Sequence, residues 1–159
     1  MAKRVLLATE KPFSAIARDQ VVGIIKEAGY EAVVLEAYAS KAQLLEAVAD
    51  VDAMIIRSDV VDAEVLGAGK SLKLVVRAGS GYDNVDISHA KERGIAVMNT
   101  PGQNANAVAE LAIGLMIFIA RGKFDGKVGG ELRGKNLGLL AFGNAGRAVA
   151  VAAKGLGMT

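Results

Sequence analysis

Two arginines, each followed by small polar residues, carry the first chemical signal: Arg57-Ser58 and Arg77-Ala78-Gly79-Ser80-Gly81. A guanidinium offers a planar fork of donors that fits a carboxylate or a phosphate. A glycine-rich run leaves backbone N–H groups free to ring an anion. Arg57, Ser58, Arg77, Ser80 and Gly81 are therefore candidate contacts to a small anionic substrate. The competing reading is that both arginines reach into solvent or pair with Asp59 and Asp83. A second signal is Ala141-Phe142-Gly143-Asn144-Ala145-Gly146, between an apolar run and a helical pattern. Gly143 would let the backbone approach a pyrophosphate, Gly146 would permit tight helix packing, and the helix N-terminus would supply unpaired N–H groups. Gly143, Asn144, Ala145 and Gly146 are the candidate cofactor contacts. The dinucleotide pattern has glycine where this chain has Ala141, and a glycine-rich turn in any doubly wound fold fits the same residues. A third segment, Asn99-Thr100-Pro101-Gly102-Gln103-Asn104, is turn chemistry. Asn104 suits a helix N-cap; the functional reading is a crossing between two domains that lines their cleft.

Other chemistries are excluded or weak. There is no Cys and one histidine, His89, so thiol catalysis, disulfides and a Cys/His metal site are ruled out, and no metal ligand is assigned. His89 stands beside Lys91 and Glu92 in a short polar helix and reads as a surface residue. Asp50, Asp52 and Asp62 sit at element ends and read as caps and turns. The net charge is +2, with no basic run of the kind that tracks nucleic acid. No run approaches the roughly 20 apolar residues of a bilayer span, and the first ten residues do not form a signal peptide. The expected setting is a soluble, cytoplasmic protein.

The elements that must position these residues follow from periodicity. Of the 159 residues, 52% are hydrophobic but only 4% aromatic, so the core is built from Val, Ile, Leu and Ala. Apolar runs at Arg4–Ala8, Ala32–Leu35, Ala53–Ile56, Leu74–Arg77 and Ile95–Met98 do not alternate with polar residues, which marks strands buried on both faces. Between them lie amphipathic stretches at Phe13–Ala28, Ser40–Ala49, Val61–Leu66 and Ile87–Arg93. In the first, Ile16, Val21, Ile24 and Ile25 are expected to share one face. The order predicts an α/β domain over residues 1–100: a five-stranded, flavodoxin-like parallel sheet with helices on both faces. Past Pro101, Asn104–Arg121 reads as one long helix, apolar nearly all round and hence buried on several sides. Gly122–Gly134 reads as a solvated loop, Asn136–Phe142 as a further strand and Gly146–Leu156 as a further helix.

Taken together, Ile55-Ile56-Arg57-Ser58, Arg77-Ala78-Gly79-Ser80-Gly81-Tyr82-Asp83-Asn84-Val85-Asp86, Val97-Met98-Asn99-Thr100-Pro101, Ala109-Glu110-Leu111, Glu131-Leu132-Arg133-Gly134-Lys135 and Gly143-Asn144-Ala145-Gly146 form an ordered set that resembles the D-isomer-specific 2-hydroxyacid dehydrogenases. The resemblance is to the branch acting on a phosphorylated 2-hydroxy acid in serine biosynthesis. It implies that Arg57 and Arg77 meet the substrate phosphate and carboxylate, that the backbone around Ser80 and Gly81 holds the carboxylate, and that Gly143 to Gly146 form the NAD pyrophosphate turn. It also implies that residues 101–159 are an incomplete NAD-binding Rossmann domain, and that helix 104–121 takes part in a homodimer. The family's catalytic Arg, Glu and His come from a later region, so the expectation is an N-terminal part of an NAD-dependent oxidoreductase, inactive as this chain alone. The alternatives are a non-catalytic flavodoxin-like module that binds an anion or serves assembly, and a truncated or engineered fragment.

Overall fold

A computed structural model describes residues 2–159. The chain divides into two compact units, one ending at Thr100 and the other spanning Pro101–Thr159.

In the first unit, strands β1 (Arg4–Thr9), β2 (Glu31–Glu36), β3 (Ala53–Ile56), β4 (Leu74–Arg77) and β5 (Ala96–Asn99) alternate with helices α1 (Ala15–Glu27), α2 (Lys41–Val48), α3 (Ala63–Ala68) and α4 (Ile87–Glu92). All strand pairs are parallel, in the order β2-β1-β3-β4-β5. Parallel neighbours need a crossover, and short helices supply it here. The helix ends carry the expected chemistry. Ser14 Oγ accepts from the Ala17 amide at 3.3 Å, Gln43 reaches back to the Ser40 amide at 3.2 Å, and Asp62 Oδ1 accepts from the Val65 amide at 3.1 Å. Each satisfies a donor that the first helical turn leaves open. Lys41 and the Val65 amide hold the Asp62 carboxyl below its ordinary pKa, the lysine contributing most.

The main core lies on one face of the sheet. Leu6, Ala8, Met54, Ile56 and Val75 pack there against Leu44 and Val48 of α2, Val65 and Leu66 of α3, and Ala90 of α4. On the opposite face α1 packs against β2. By strand alternation that second face carries Leu7, Ile55, Val76 and Met98. Leu7 is fully buried, Ile55 and Val76 are half-buried, and Met98 is 58% exposed. The expectation of strands buried on both faces therefore holds at β1 and fails at β5, because one helix cannot cover five strands.

The same narrow coverage corrects the reading of α1. Ile25 is buried and Val21 half-buried, but Ile16 and Ile24 are 75% and 66% exposed. The four do not share a buried face.

The second unit has α5 (Ala105–Ala120), a tight turn at Gly122–Phe124 and α6 (Asn144–Gly155). Asn104 stands at the N-cap position of α5, and Phe118 meets Phe124 edge to face at 5.4 Å. The two helices pack on each other, yet Ala109 is the only fully buried residue of α5, and Val108, Leu111, Leu115 and Ile119 are exposed. Its expected burial on several sides is thus not found.

No strand forms over Asn136–Phe142. A strand exists by pairing, and here the pairing amounts to Thr159 N–H to Lys135 O at 3.0 Å and Leu137 N–H to Thr159 O at 2.7 Å. Those two bonds straddle one residue on a parallel neighbour, as the first rung of a parallel ladder does.

The α1 geometry predicts opposite outcomes at adjacent isoleucines. Ile25→Ala should cost about 2–4 kcal/mol, while Ile24→Ala should change stability by less than about 0.5 kcal/mol. Denaturant unfolding of both variants is the check, and equal losses would contradict the assigned face.

Candidate functional site

A parallel sheet sends every strand's carboxyl end to one edge, where the βα loops collect. Arg57 follows β3 and Arg77 ends β4, with Arg77 in register with Ile56. The Arg57 guanidinium donates to Pro12 O at 3.3 Å and lies 5.9 Å from the Phe13 ring centroid, a cation–π distance. It is thus turned toward the loop that leads into α1. Arg77 has the alternation parity of Val75 and so starts from the main-core face. Its guanidinium folds back over Gly79, where a Cβ would collide with it. The two cations therefore approach the edge from opposite sides rather than side by side. Arg77 Nε is buried without a hydrogen-bond partner, which leaves a donor for an acceptor that the protein itself does not provide.

The loop after β4 is held from β5. Asn99 Nδ2 donates to Ser80 O at 2.7 Å, Ser80 Oγ donates to Thr100 O at 3.4 Å, and Thr100 N–H donates to Gly79 O at 2.9 Å. These bonds fix the backbone of Gly79 and Ser80 at the edge. Ser58 is exposed beside Arg57.

Asp59 does not pair with an arginine. It is 2% exposed. Its Oδ1 accepts from the Glu10 amide at 2.6 Å and from the Tyr38 hydroxyl at 2.7 Å, and its Oδ2 accepts from the Arg57 amide at 3.0 Å. Its backbone carbonyl accepts from Asn84 Nδ2 at 2.7 Å. Burial, and then the bond to Asp59, push the Tyr38 phenol above its ordinary pKa. The sequence reading missed this residue as an organiser. Its partners lie 49, 21, 2 and 25 positions away, and no local spacing encodes them. His89 lies in α4 with its Nδ1 3.6 Å from Glu92 Oε2. No group of three or more potential metal ligands occurs among the described residues.

In the second unit the turn before α6 tests whether a dinucleotide fits. Gly143 is the N-cap of the 12-residue helix, and a Cβ on it would meet nothing within 4 Å. The space beside that backbone is open. A Cβ at Gly146 would lie 2.5 Å from Ala141 O, so only glycine lets the helix pack this closely. Ala141 has φ +74, the left-handed conformation for which the pattern uses glycine. Asn144 Oδ1 accepts from Arg147 at 2.8 Å, and Ala145 is exposed in the first turn. The turn thus keeps the two later glycine positions of the dinucleotide pattern, with a strained alanine at the first.

Arginines at the carboxyl edge of a parallel sheet with helices on both faces, followed by a glycine turn that opens a helix, are the features of an α/β enzyme class. Residues 7–156 match the family model "D-isomer specific 2-hydroxyacid dehydrogenase, catalytic domain", and the chain belongs to that family. It is 46% identical over 132 residues to a hydroxypyruvate reductase of Thermotoga maritima, covering 74% of this chain and 43% of that protein. It is 40% identical over 149 residues to a D-3-phosphoglycerate dehydrogenase of Pongo abelii, covering 85% of this chain and 28% of that protein. The crystal structure of NAD+-bound 3-phosphoglycerate dehydrogenase of Entamoeba histolytica superposes with a TM-score of 0.93 at 44% identity, over 99% of this chain and 52% of that one. The chain thus spans about half or less of the length of these relatives.

The turn geometry separates its two glycines. Gly146→Ala should destabilise by about 1–3 kcal/mol because the new methyl meets fixed backbone. Gly143→Ala, at an ordinary negative φ with open space, should cost only the difference between glycine and alanine at an N-cap, about 1 kcal/mol or less. Thermal unfolding of the two variants decides, and a harmless Gly146→Ala would refute the close approach.

Proposed function

We propose that this chain is the substrate-anion and pyrophosphate-binding part of an NAD-dependent dehydrogenase of D-3-phosphoglycerate. The reading rests above all on Arg77: a buried guanidinium nitrogen without a partner, at the strand edge that also carries Arg57 and the Gly79–Gly81 loop. Such a donor suits a carboxylate or phosphate oxygen, to which a charge-assisted bond contributes about 1.5–3 kcal/mol. Arg57 and Arg77, coming from opposite sides of the edge, match a substrate with an anionic group at each end. Ser58, Ser80 and Gly81 add polar groups around it.

Gly143 through Gly146 would hold the pyrophosphate of NAD, which, when bound, accepts the hydride that leaves C2 of the substrate. The hydroxyl proton must go to a base as the C2 carbonyl forms. His89, the only histidine, is engaged beside Glu92 on α4 and is not assigned that role. The expected result for the isolated chain is no turnover of 3-phosphoglycerate with NAD, read by near-ultraviolet absorbance of NADH. Turnover that tracks the 159-residue species would force a search for another base.

The likeness to a hydroxypyruvate reductase supports a second reading, in which the substrate lacks the phosphate. Titrating 3-phosphoglycerate and glycerate against the chain separates the two. On the phosphorylated reading, Arg57→Ala and Arg77→Ala each weaken 3-phosphoglycerate binding by about 1.5–3 kcal/mol, roughly tenfold to 150-fold. One of them leaves glycerate binding unchanged. Equal effects on both ligands would favour the unphosphorylated substrate.

The exposed stripe Val108, Leu111, Leu115 and Ile119 on α5 supports association of this chain with itself, since a contiguous apolar face in water marks an interaction surface. A dimer through α5 should appear in light scattering and be lost in Leu115→Glu. A monomer at high concentration would count against it.

A further inference from the structure

The Asp59 cluster has a geometry that goes past structural satisfaction of a buried acid. Arg57 is held at two places. Its root, the backbone amide, donates to Asp59 Oδ2. Its tip, the guanidinium, donates to Pro12 O and lies over Phe13. The Pro12–Phe13 loop begins at Glu10, whose amide donates to Asp59 Oδ1. Root and tip are thus both referenced to one carboxylate. The Tyr38 hydroxyl braces the same oxygen from the β2 loop. Through Asn84, which donates to the Asp59 carbonyl, and through Val61 N–H to Asn84 O at 2.8 Å, the far end of the Gly79–Asp86 loop is tied to this residue as well.

The residue type matters. A carboxylate is an acceptor at both oxygens, and all three groups facing it are donors. Asparagine would keep one oxygen and turn an NH2 toward either the Arg57 amide or the Glu10–Tyr38 pair. It would release one side of the bracket whichever way it lay.

We propose that Asp59 is the positioning residue of the anion-binding edge, its buried carboxylate setting the place of the Arg57 guanidinium by holding the amides of Glu10 and Arg57 together. The assignment rests on the anion-binding reading of Arg57. Binding by a fixed guanidinium depends on placement, because a charge-assisted hydrogen bond is short and directional.

The test uses the whole chain, with 3-phosphoglycerate as probe and the Arg57 side-chain Nε–H resonance as readout. Amide exchange at Glu10 and Arg57 is measured on the same samples without ligand. Asp59→Asn should weaken binding at least tenfold and speed exchange at one or both amides. Val48→Ala, in the main core and away from the loops, should bring a comparable loss of thermal stability with binding within twofold of the parent. Binding within twofold in Asp59→Asn overturns the proposal, as does an equal loss of affinity in Val48→Ala. Should the parent bind no 3-phosphoglycerate, the anion reading fails by itself, and unchanged exchange at both amides in Asp59→Asn would then overturn the bracket separately. Should Asp59→Asn not fold, scalar couplings across the hydrogen bonds from the Glu10 and Arg57 amides to the Asp59 carboxylate are measured in the parent. Both couplings present supports the proposal, and absence of either overturns it.

Discussion

Parallel pairing is the constraint from which the site descends. Five strands that all run the same way must be joined by crossovers, and every crossover leaves the sheet at the same edge. Residues 10, 38, 57, 59, 77, 80 and 84 are scattered along the sequence, yet each follows or ends a strand of this sheet. Backbone pairing thus gathers their groups without a local motif. The main core makes the arrangement rigid. Met54, Ile56 and Val75 are fully buried immediately upstream of Arg57 and Arg77, so the arginines project from strands that have no freedom to slide. A one-residue slip would carry each strand's core set to the opposite face.

What could be read from the sequence follows from how local each signal is. The strands were legible because an unbroken run of β-branched and aliphatic residues has few other uses. The placement of Arg57, Arg77 and the Gly79–Gly81 run at strand ends was legible because each directly follows or ends an unbroken apolar run. Burial on α1 was misjudged, since Ile16 and Ile24 have helical spacing with an apolar partner but face away from a sheet that one helix covers only in part. The strand Asn136–Phe142 was misjudged for a different reason: composition can mark a segment as fit for a ladder, but only a neighbour makes it a strand. Asp59 left almost no trace, because a buried carboxylate is defined by donors that the chain brings from dozens of positions away.

The uncovered apolar surfaces share one cause. Met98 on the sheet and Leu111, Leu115 and Ile119 on α5 are exposed where no element of their own unit packs over them. Together with the exposed isoleucines of α1 they account for a high aliphatic content that the two cores do not absorb. An apolar residue left in water forgoes about 25 cal/mol for each Å² it could have buried. Any surface that covers these stripes therefore gains stability without a specific polar contact, and specificity has to come from elsewhere.

The turn at Ala141 shows how backbone geometry can outlast the residue that usually supplies it. Its positive φ is the conformation that a Cβ disfavours by roughly 1–2 kcal/mol, yet the chain adopts it, with α6 so close that a Cβ at Gly146 would lie 2.5 Å from the Ala141 carbonyl oxygen. The helix after the turn supplies the compensation through its packing on α5, with Val149 and Ala153 buried. Strain at one residue and burial two turns later are parts of one arrangement. The glycine at position 146, which has no φ requirement to satisfy, is the position that the geometry cannot spare, whereas a Cβ at 143 would meet only open space.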